Sequence, residues 1–287
     1  MTSWDVHRPP PAEGRTVLVT GGNAGIGYFV AEQLAGAGAT VVLGCRSADR
    51  AAAAMTAIRS RHPTAVLRHL PLDLGDLASV KESADQLDVA LDAVVLNAGM
   101  LIEGPDPEER TFAVNHLGHF ALTAWLAPYL RPTARVVTTG SFVAKSAAFP
   151  DHEHDGKRAY ARSKLAQMLF GFELARRGGV ISVVNHPGGA LDSLTPSRPP
   201  VHTRPPGFRL PLLQGKDAGA WPAVRCVLDP SVSTGQLWGP RLFGLRGLPR
   251  LEPVRGILAD ADLAARVWDL SVELTGVDPS AALLRRQ

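Results

Sequence analysis

Cysteine is scarce in this chain: Cys45 and Cys226 are the two in 287 residues. Two thiols make no disulfide framework, so the core must hold the fold, and both are expected unpaired in a reducing cytoplasm. No apolar run reaches the roughly 18 residues that suggest a membrane span, so no membrane partner is expected. Residues 1–14 are polar and proline-rich, unlike the apolar stretch of a secretory signal. No segment repeats at a period of roughly 20–50 residues, which sets solenoids and propellers aside. Charge of one sign is also lacking. The formal net charge is +3 with scattered arginines, which argues against nucleic acid as a partner. The Arg-Arg pairs at 176–177 and 285–286 read as solvated faces. No metal set stands out either. Residues 149–156 carry Asp151, His152, Glu153, His154 and Asp155, but their loop spacing reads as a polar rim rather than a ligand cluster.

What is present is hydrophobic content of 45%, enough for one large α/β domain with a full core over residues 1–287. Strand-like and helix-like segments alternate through the first two-thirds. That pattern predicts a single Rossmann-type, doubly wound parallel sheet flanked by helices. Ala, Arg, Gly and Pro are abundant, as in proteins of GC-rich bacteria.

The first motif follows the run Thr16-Val17-Leu18-Val19, which reads as a buried parallel strand. Gly21, Gly25 and Gly27 come next in a G-x-x-x-G-x-G spacing, with Asn23 and Ile26 between them. Glycines there allow a tight turn and close backbone approach to a pyrophosphate. The helix expected from Gly25 to Ala37 offers that anion unpaired N–H groups and a positive dipole end. The next strand, Thr40 to Cys45, ends at Arg46 with no acid beside it in sequence. A carboxylate at this position accepts from a ribose 2′-hydroxyl, whereas a guanidinium matches a 2′-phosphate. Arg46 therefore predicts NADP(H) over NAD(H).

The second motif is Tyr160-Ala161-Arg162-Ser163-Lys164. Residues at i and i+4 share a helix face, so an ammonium stands one turn from a phenol. A nearby cation favours phenolate and is expected to lower the tyrosine pKa from about 10. The pair thus suits proton transfer to or from an alcohol oxygen.

These motifs, taken together and in order, resemble the short-chain dehydrogenases/reductases. Thr20 to Gly27 is similar to the family's TGxxxGIG. Leu72-Asp73-Leu74 resembles the segment whose acid meets the adenine. Asn97-Ala98-Gly99 resembles the NAG motif, and Val114 to Phe120 the helix with the family's asparagine. Ser141 follows the strand Arg135–Thr139 where the family's serine is expected, Tyr160 and Lys164 match YxxxK, and Pro187-Gly188 matches the turn over the nicotinamide. The wording Gly44-Cys45-Arg46-Ser47 and Asn115-His116-Leu117-Gly118-His119-Phe120 is similar to the retinol-dehydrogenase-like and WW-domain-oxidoreductase-like branch. The resemblance implies a catalytic set of Asn115, Ser141, Tyr160 and Lys164. It also implies a cofactor site including Asp73, Leu74, Asn97, Ala98, Gly99, Tyr160, Lys164, Pro187 and Gly188. In that family Lys164 would also hold the nicotinamide ribose, and Asn115 would anchor a water that relays protons to it. The implied activity is NADPH-dependent reduction of a C=O group in a small or medium organic molecule. Reduction of a C=N centre in a secondary metabolite and a non-catalytic NADPH-binding regulator are the alternatives, and a homodimer stays open.

One departure follows Gly188, where Asp192 stands at the family's threonine position, with Ser193 and Thr195 as substitutes for the cofactor contact. Residues 192–215, rich in proline and arginine, are expected to form an extended loop where the substrate is read: either a solvated, partly mobile flap, or a lid on which Arg198, Arg204 and Arg209 meet an acidic substrate or the cofactor's phosphates. Val201, Phe208, Leu210, Leu212 and Leu213 would make its apolar wall. A helix is expected over 217–228, a final strand over 235–240, and a C-terminal extension over 241–287 with a helix near 261–274.

Overall fold

A computed structural model describes residues 4–101, 107–147, 156–203, 205, 207 and 210–284. The expected loop at 149–155 and the positions Arg204, Phe208, Arg209, Arg285 and Arg286 lie outside the described residues. The elements in the first half are β1 (Thr16–Thr20), α1 (Gly25–Gly36), β2 (Thr40–Cys45), α2 (Ala48–Arg59), β3 (Leu67–Pro71), α3 (Leu77–Asp85) and β4 (Leu91–Leu96). They continue as α4 (Pro107–Phe112), α5 (Gly118–Trp125), β5 (Leu130–Thr139), α6 (Gly156–Arg177), β6 (Ile181–Asn185), α7 (Lys216–Gly219), α8 (Trp221–Leu228), β7 (Leu237–Leu242), β8 (Arg246–Glu252), α9 (Ala261–Thr275) and α10 (Pro279–Leu284).

The sheet runs β3-β2-β1-β4-β5-β6-β7-β8, with all pairs parallel except β7 with β8. Chain order reverses between β1 and β4, so a crevice opens at the carboxyl ends of those strands. The strands read as continuous apolar runs because both faces are covered. Val17, Val19, Val41 and Leu43 pack under α1, α2 and α8, while Leu18, Val42, Val94 and Leu96 pack under α3, α5 and α6.

The extension departs from expectation. The last strand is not at 235–240: β7 runs to Leu242, and β8 adds an antiparallel edge strand to the sheet. The helix expected over 217–228 is two helices, α7 and α8, with Pro222 in the first turn of the second. Helix α9 matches its predicted span. Asp260 caps it by accepting from the Leu263 N–H at 2.8 Å, and Gly276 ends it in the left-handed conformation at φ 71°. It buries Leu263, Val267, Trp268 and Ser271, one face at helical spacing. Trp268 stacks on Phe170 at 5.7 Å and meets Phe120 edge-on at 5.0 Å, so the extension is part of the core.

Candidate active site

The crevice is a cleft of about 820 Å³. Gly21, Asn23, Gly25, Ile26, Gly27, Arg46, Asp73, Leu74, Asn97, Ala98, Gly99, Tyr160, Lys164 and Pro187 all line it, so one site gathers motifs spread across the chain. Gly188 does not line it. It turns the chain at φ 68° against Leu245.

At the phosphate end, α1 begins without a side-chain cap or an acid in its first turn. Its free N–H groups are therefore left for a ligand. Gly25 sits there at φ 57°, with nothing within 4 Å of where a Cβ would point. These features fit a dinucleotide's pyrophosphate. Thr20 locks the turn from below. Its Oγ1 accepts from the Asn97 and Ala98 N–H groups at 2.9 and 3.0 Å, and the Asn97 amide donates to the Thr20 carbonyl at 3.1 Å.

At the opposite end, Arg46 lies 3.8 Å from Asp73, with both side chains well exposed. No acid neighbours Arg46 in sequence, yet the fold supplies one from the end of β3. Arg50 and Ser47 line the same corner and were missed by sequence reasoning. The available signal was Ser47, whose Oγ accepts from the Arg50 N–H at 3.2 Å as the α2 cap.

The reacting end is built from a wide helical turn at 113–117, the end of β5 and the first turns of α6. Asn115 is fully buried. It accepts from the Met100 N–H at 2.8 Å and donates to the Met100 carbonyl at 2.9 Å and to Ser163 Oγ at 3.0 Å. Lys164 Nζ donates to the Thr139 carbonyl at 3.1 Å. Gly99 is pressed against that ammonium: a Cβ there would lie 2.7 Å from Nζ. The Ser141 side chain lies near enough to the Tyr160 phenol to act on its proton.

The expectation that Lys164 lowers the Tyr160 pKa is not met. Burial holds the phenol above its ordinary value, and the Ser141 side chain works against that. Burial also pulls Lys164 down to about 8. Desolvation thus favours the neutral form of each.

The lid also differs. Residues 198–202 close a tight turn, with Arg198 N–H to His202 O at 2.7 Å and the reverse bond at 2.8 Å, instead of an extended run. Arg198 is not among the residues that line the cleft. It meets Glu32 of α1 at 2.6 Å, a buried carboxylate that also takes Arg61 at 3.2 Å. Asp192 is paired with Lys216 at 2.6 Å, which neutralises the misplaced acid, and Lys216 itself lines the cleft. Thr195 is buried, donating to the Leu191 carbonyl at 2.7 Å and accepting from the Lys216 N–H at 2.9 Å, so it holds the lid's base. Leu210 and Leu212 are exposed, Leu213 packs at Gly189, and Val201 joins the core.

Cys45 and Cys226 are free and buried, and burial raises both thiol pKa values. Among the described residues no helix is long and apolar enough to cross a membrane.

A parallel sheet that reverses at β1 and β4, with a glycine turn and the Tyr160–Lys164 pair on one cleft, has the architecture of a dinucleotide-binding α/β oxidoreductase. Residues 15–193 match the family model described as short chain dehydrogenase, and the chain belongs to that family. Retinol dehydrogenase 13 of Homo sapiens is 36% identical over 92% of this chain and 86% of that protein. A crystal structure of an uncharacterized protein from Mycobacterium paratuberculosis is 31% identical, with TM-score 0.77 over 96% of this chain and 99% of that one. A short chain dehydrogenase from Burkholderia cenocepacia, solved in complex with NADP, is 25% identical, with TM-score 0.63 over 82% of this chain and 97% of that one.

Proposed function

We propose that the chain is an NADPH-dependent reductase of a C=O group in a small or medium organic molecule, with residues 1–287 as one NADP-binding domain. The observation that carries the reading is that Tyr160 and Lys164 line the same cleft as the glycine turn, Arg46 and Arg50. The amides at Gly25 to Gly27 would hold the pyrophosphate, and the two arginines a 2′-phosphate. Asp73 and Leu74 would meet the adenine, Lys164 the nicotinamide ribose, and Pro187 the nicotinamide, with Gly188 turning the chain behind it. When bound, NADPH supplies the hydride.

The chain's own residues handle the oxygen. Ser141 donates to the carbonyl oxygen and polarises it. Tyr160, kept protonated by burial, gives its proton to the oxygen as negative charge develops there. Lys164 carries its charge below about pH 8. Asn115 fixes the backbone at Met100 and anchors a water that returns a proton through Lys164. Met100, Leu101, Phe142 and Val143 are exposed apolar side chains beside this chemistry, which favours an apolar substrate. The relative named for retinol supports the same class.

The test follows oxidation of NADPH, with NADH in parallel, across aldehydes, ketones, quinones and cyclic imines. Turnover of carbonyl compounds with NADPH preferred is expected. Turnover of imines alone, or tight NADPH binding with no turnover at all, would contradict the carbonyl reading.

A further inference from the structure

Two histidines of the 115–120 stretch have no part in the chemistry above, yet both are fully buried. His119 lies on α5 between Thr20 and Asn115. Its Nε2 is 2.9 Å from Thr20 Oγ1, and its Nδ1 is 3.2 Å from the Asn115 carbonyl oxygen. Counting lone pairs assigns the tautomer. Thr20 Oγ1 has two, and both are taken by the Asn97 and Ala98 N–H groups. An N–H on His119 Nε2 would point at an oxygen with nothing left to accept it. The Thr20 hydroxyl therefore donates to Nε2 at 2.9 Å rather than to the Val95 carbonyl at 3.3 Å. The one ring proton is then on Nδ1, where only a carbonyl faces it as an acceptor.

Gln167 of α6 fits this assignment. Its amide nitrogen is placed 3.2 Å from His119 Nδ1, donor against donor, while its Oε1 and the neighbouring His116 Nδ1 are buried without partners. Turning the amide by half a turn gives the oxygen to the His119 N–H and a donor to His116. His116 Nε2 then donates to Ser271 Oγ of α9 at 2.7 Å, and Ser271 donates to the Val267 carbonyl at 2.6 Å. His119, Gln167 Oε1, His116 Nε2 and Ser271 Oγ then each have a partner. Burial pushes His119 down to about 3 and His116 to about 4, so neither is charged near neutral pH.

We propose that His119 is a positioning residue: its Nδ1–H form ties the Asn115 backbone to Thr20 beneath the dinucleotide turn, so that filling the turn is coupled to the placement of Asn115. The coupling rests on the cofactor reading above, while the tautomer does not.

The test uses full-length protein labelled with ¹⁵N-histidine, with the His119 signals assigned by their loss in His119→Gln. A protonated Nδ1 and a bare Nε2 are expected, with both resonances moving when NADPH saturates the protein. NADPH binding should weaken about tenfold in His119→Phe, which keeps the ring but makes neither bond. His119→Gln, whose amide still accepts from Thr20, should recover part of that loss. A protonated Nε2 overturns the proposal, whichever variants fold. Resonances unmoved at saturation, or wild-type NADPH affinity in His119→Phe, overturn the coupling. A wild-type protein that binds no NADPH overturns the cofactor reading instead.

Discussion

The glycine-turn side of the cleft and the region from Asp192 through the β7–β8 hairpin are built differently. The glycine-turn side is backbone held by polar side chains: Thr20, Asn97, Asn115 and His119 bond main-chain groups at 2.8–3.2 Å. The region from Asp192 through the hairpin is held by charged side chains. Arg198 reaches Glu32, Lys216 reaches Asp192, and Glu252 takes Lys145 at 2.5 Å and His186 at 3.0 Å, beside exposed Phe243 and Leu242 on the β7–β8 hairpin. A frame of backbone bonds fixes one geometry for one cofactor. A set of tethers changes shape when a tether changes, which is where specificity is free to vary.

The largest expected effect is acid sensitivity. The folded pKa values of His119 and His116 lie below their ordinary 6.5, so the unfolded chain binds more protons below pH 6.5. Stability is therefore lost as pH falls from 6.5 toward 4, by about 1.4 kcal/mol per pH unit for each imidazole. Tm measured across that range checks it; a flat profile would show that the imidazoles charge in place.

Next comes the lid tether. Glu32→Gln leaves Arg198 and Arg61 without their carboxylate and should cost about 3 kcal/mol. Denaturant unfolding measures the loss. Faster proteolysis within 192–215, with NADPH affinity nearly unchanged, would sharpen the contrast, and weakened NADPH binding would blur it.

Gly99→Ala acts on the glycine-turn side. The methyl meets Lys164 Nζ and pushes it from the Thr139 carbonyl, so turnover should fall up to about a hundredfold at normal Tm. Unchanged turnover would mean that Lys164 has room to spare.

The smallest of these effects is at the rim. Arg46→Asp should weaken NADPH about tenfold and narrow its preference over NADH, with Arg50 retaining part of it. Paired titrations of the two cofactors read this directly.

Legibility followed the same division. The turn at Thr20 to Gly27 was readable because strand, turn and helix are contiguous, and the Tyr160–Lys164 spacing is one helical turn. Helix α9 was readable from its cap and period. The lid was not: Arg198 and Glu32 are 166 residues apart, and no local pattern announces such a pair. Asp73 meets Arg46 only because β2 and β3 are neighbours in the sheet. Strand β8, with Gly247 and Pro249 inside it, lacks the alternation that marks a strand. The raised Tyr160 pKa depends on burial, which spacing does not report.

The most direct test of the account is Tyr160→Phe, with NADPH affinity and turnover of a carbonyl substrate measured on the same preparation. Affinity within about twofold of wild type and turnover reduced to background are expected, since the change removes one hydroxyl and keeps the ring. Wild-type turnover in that variant would remove Tyr160 from the chemistry and with it the proposed mechanism.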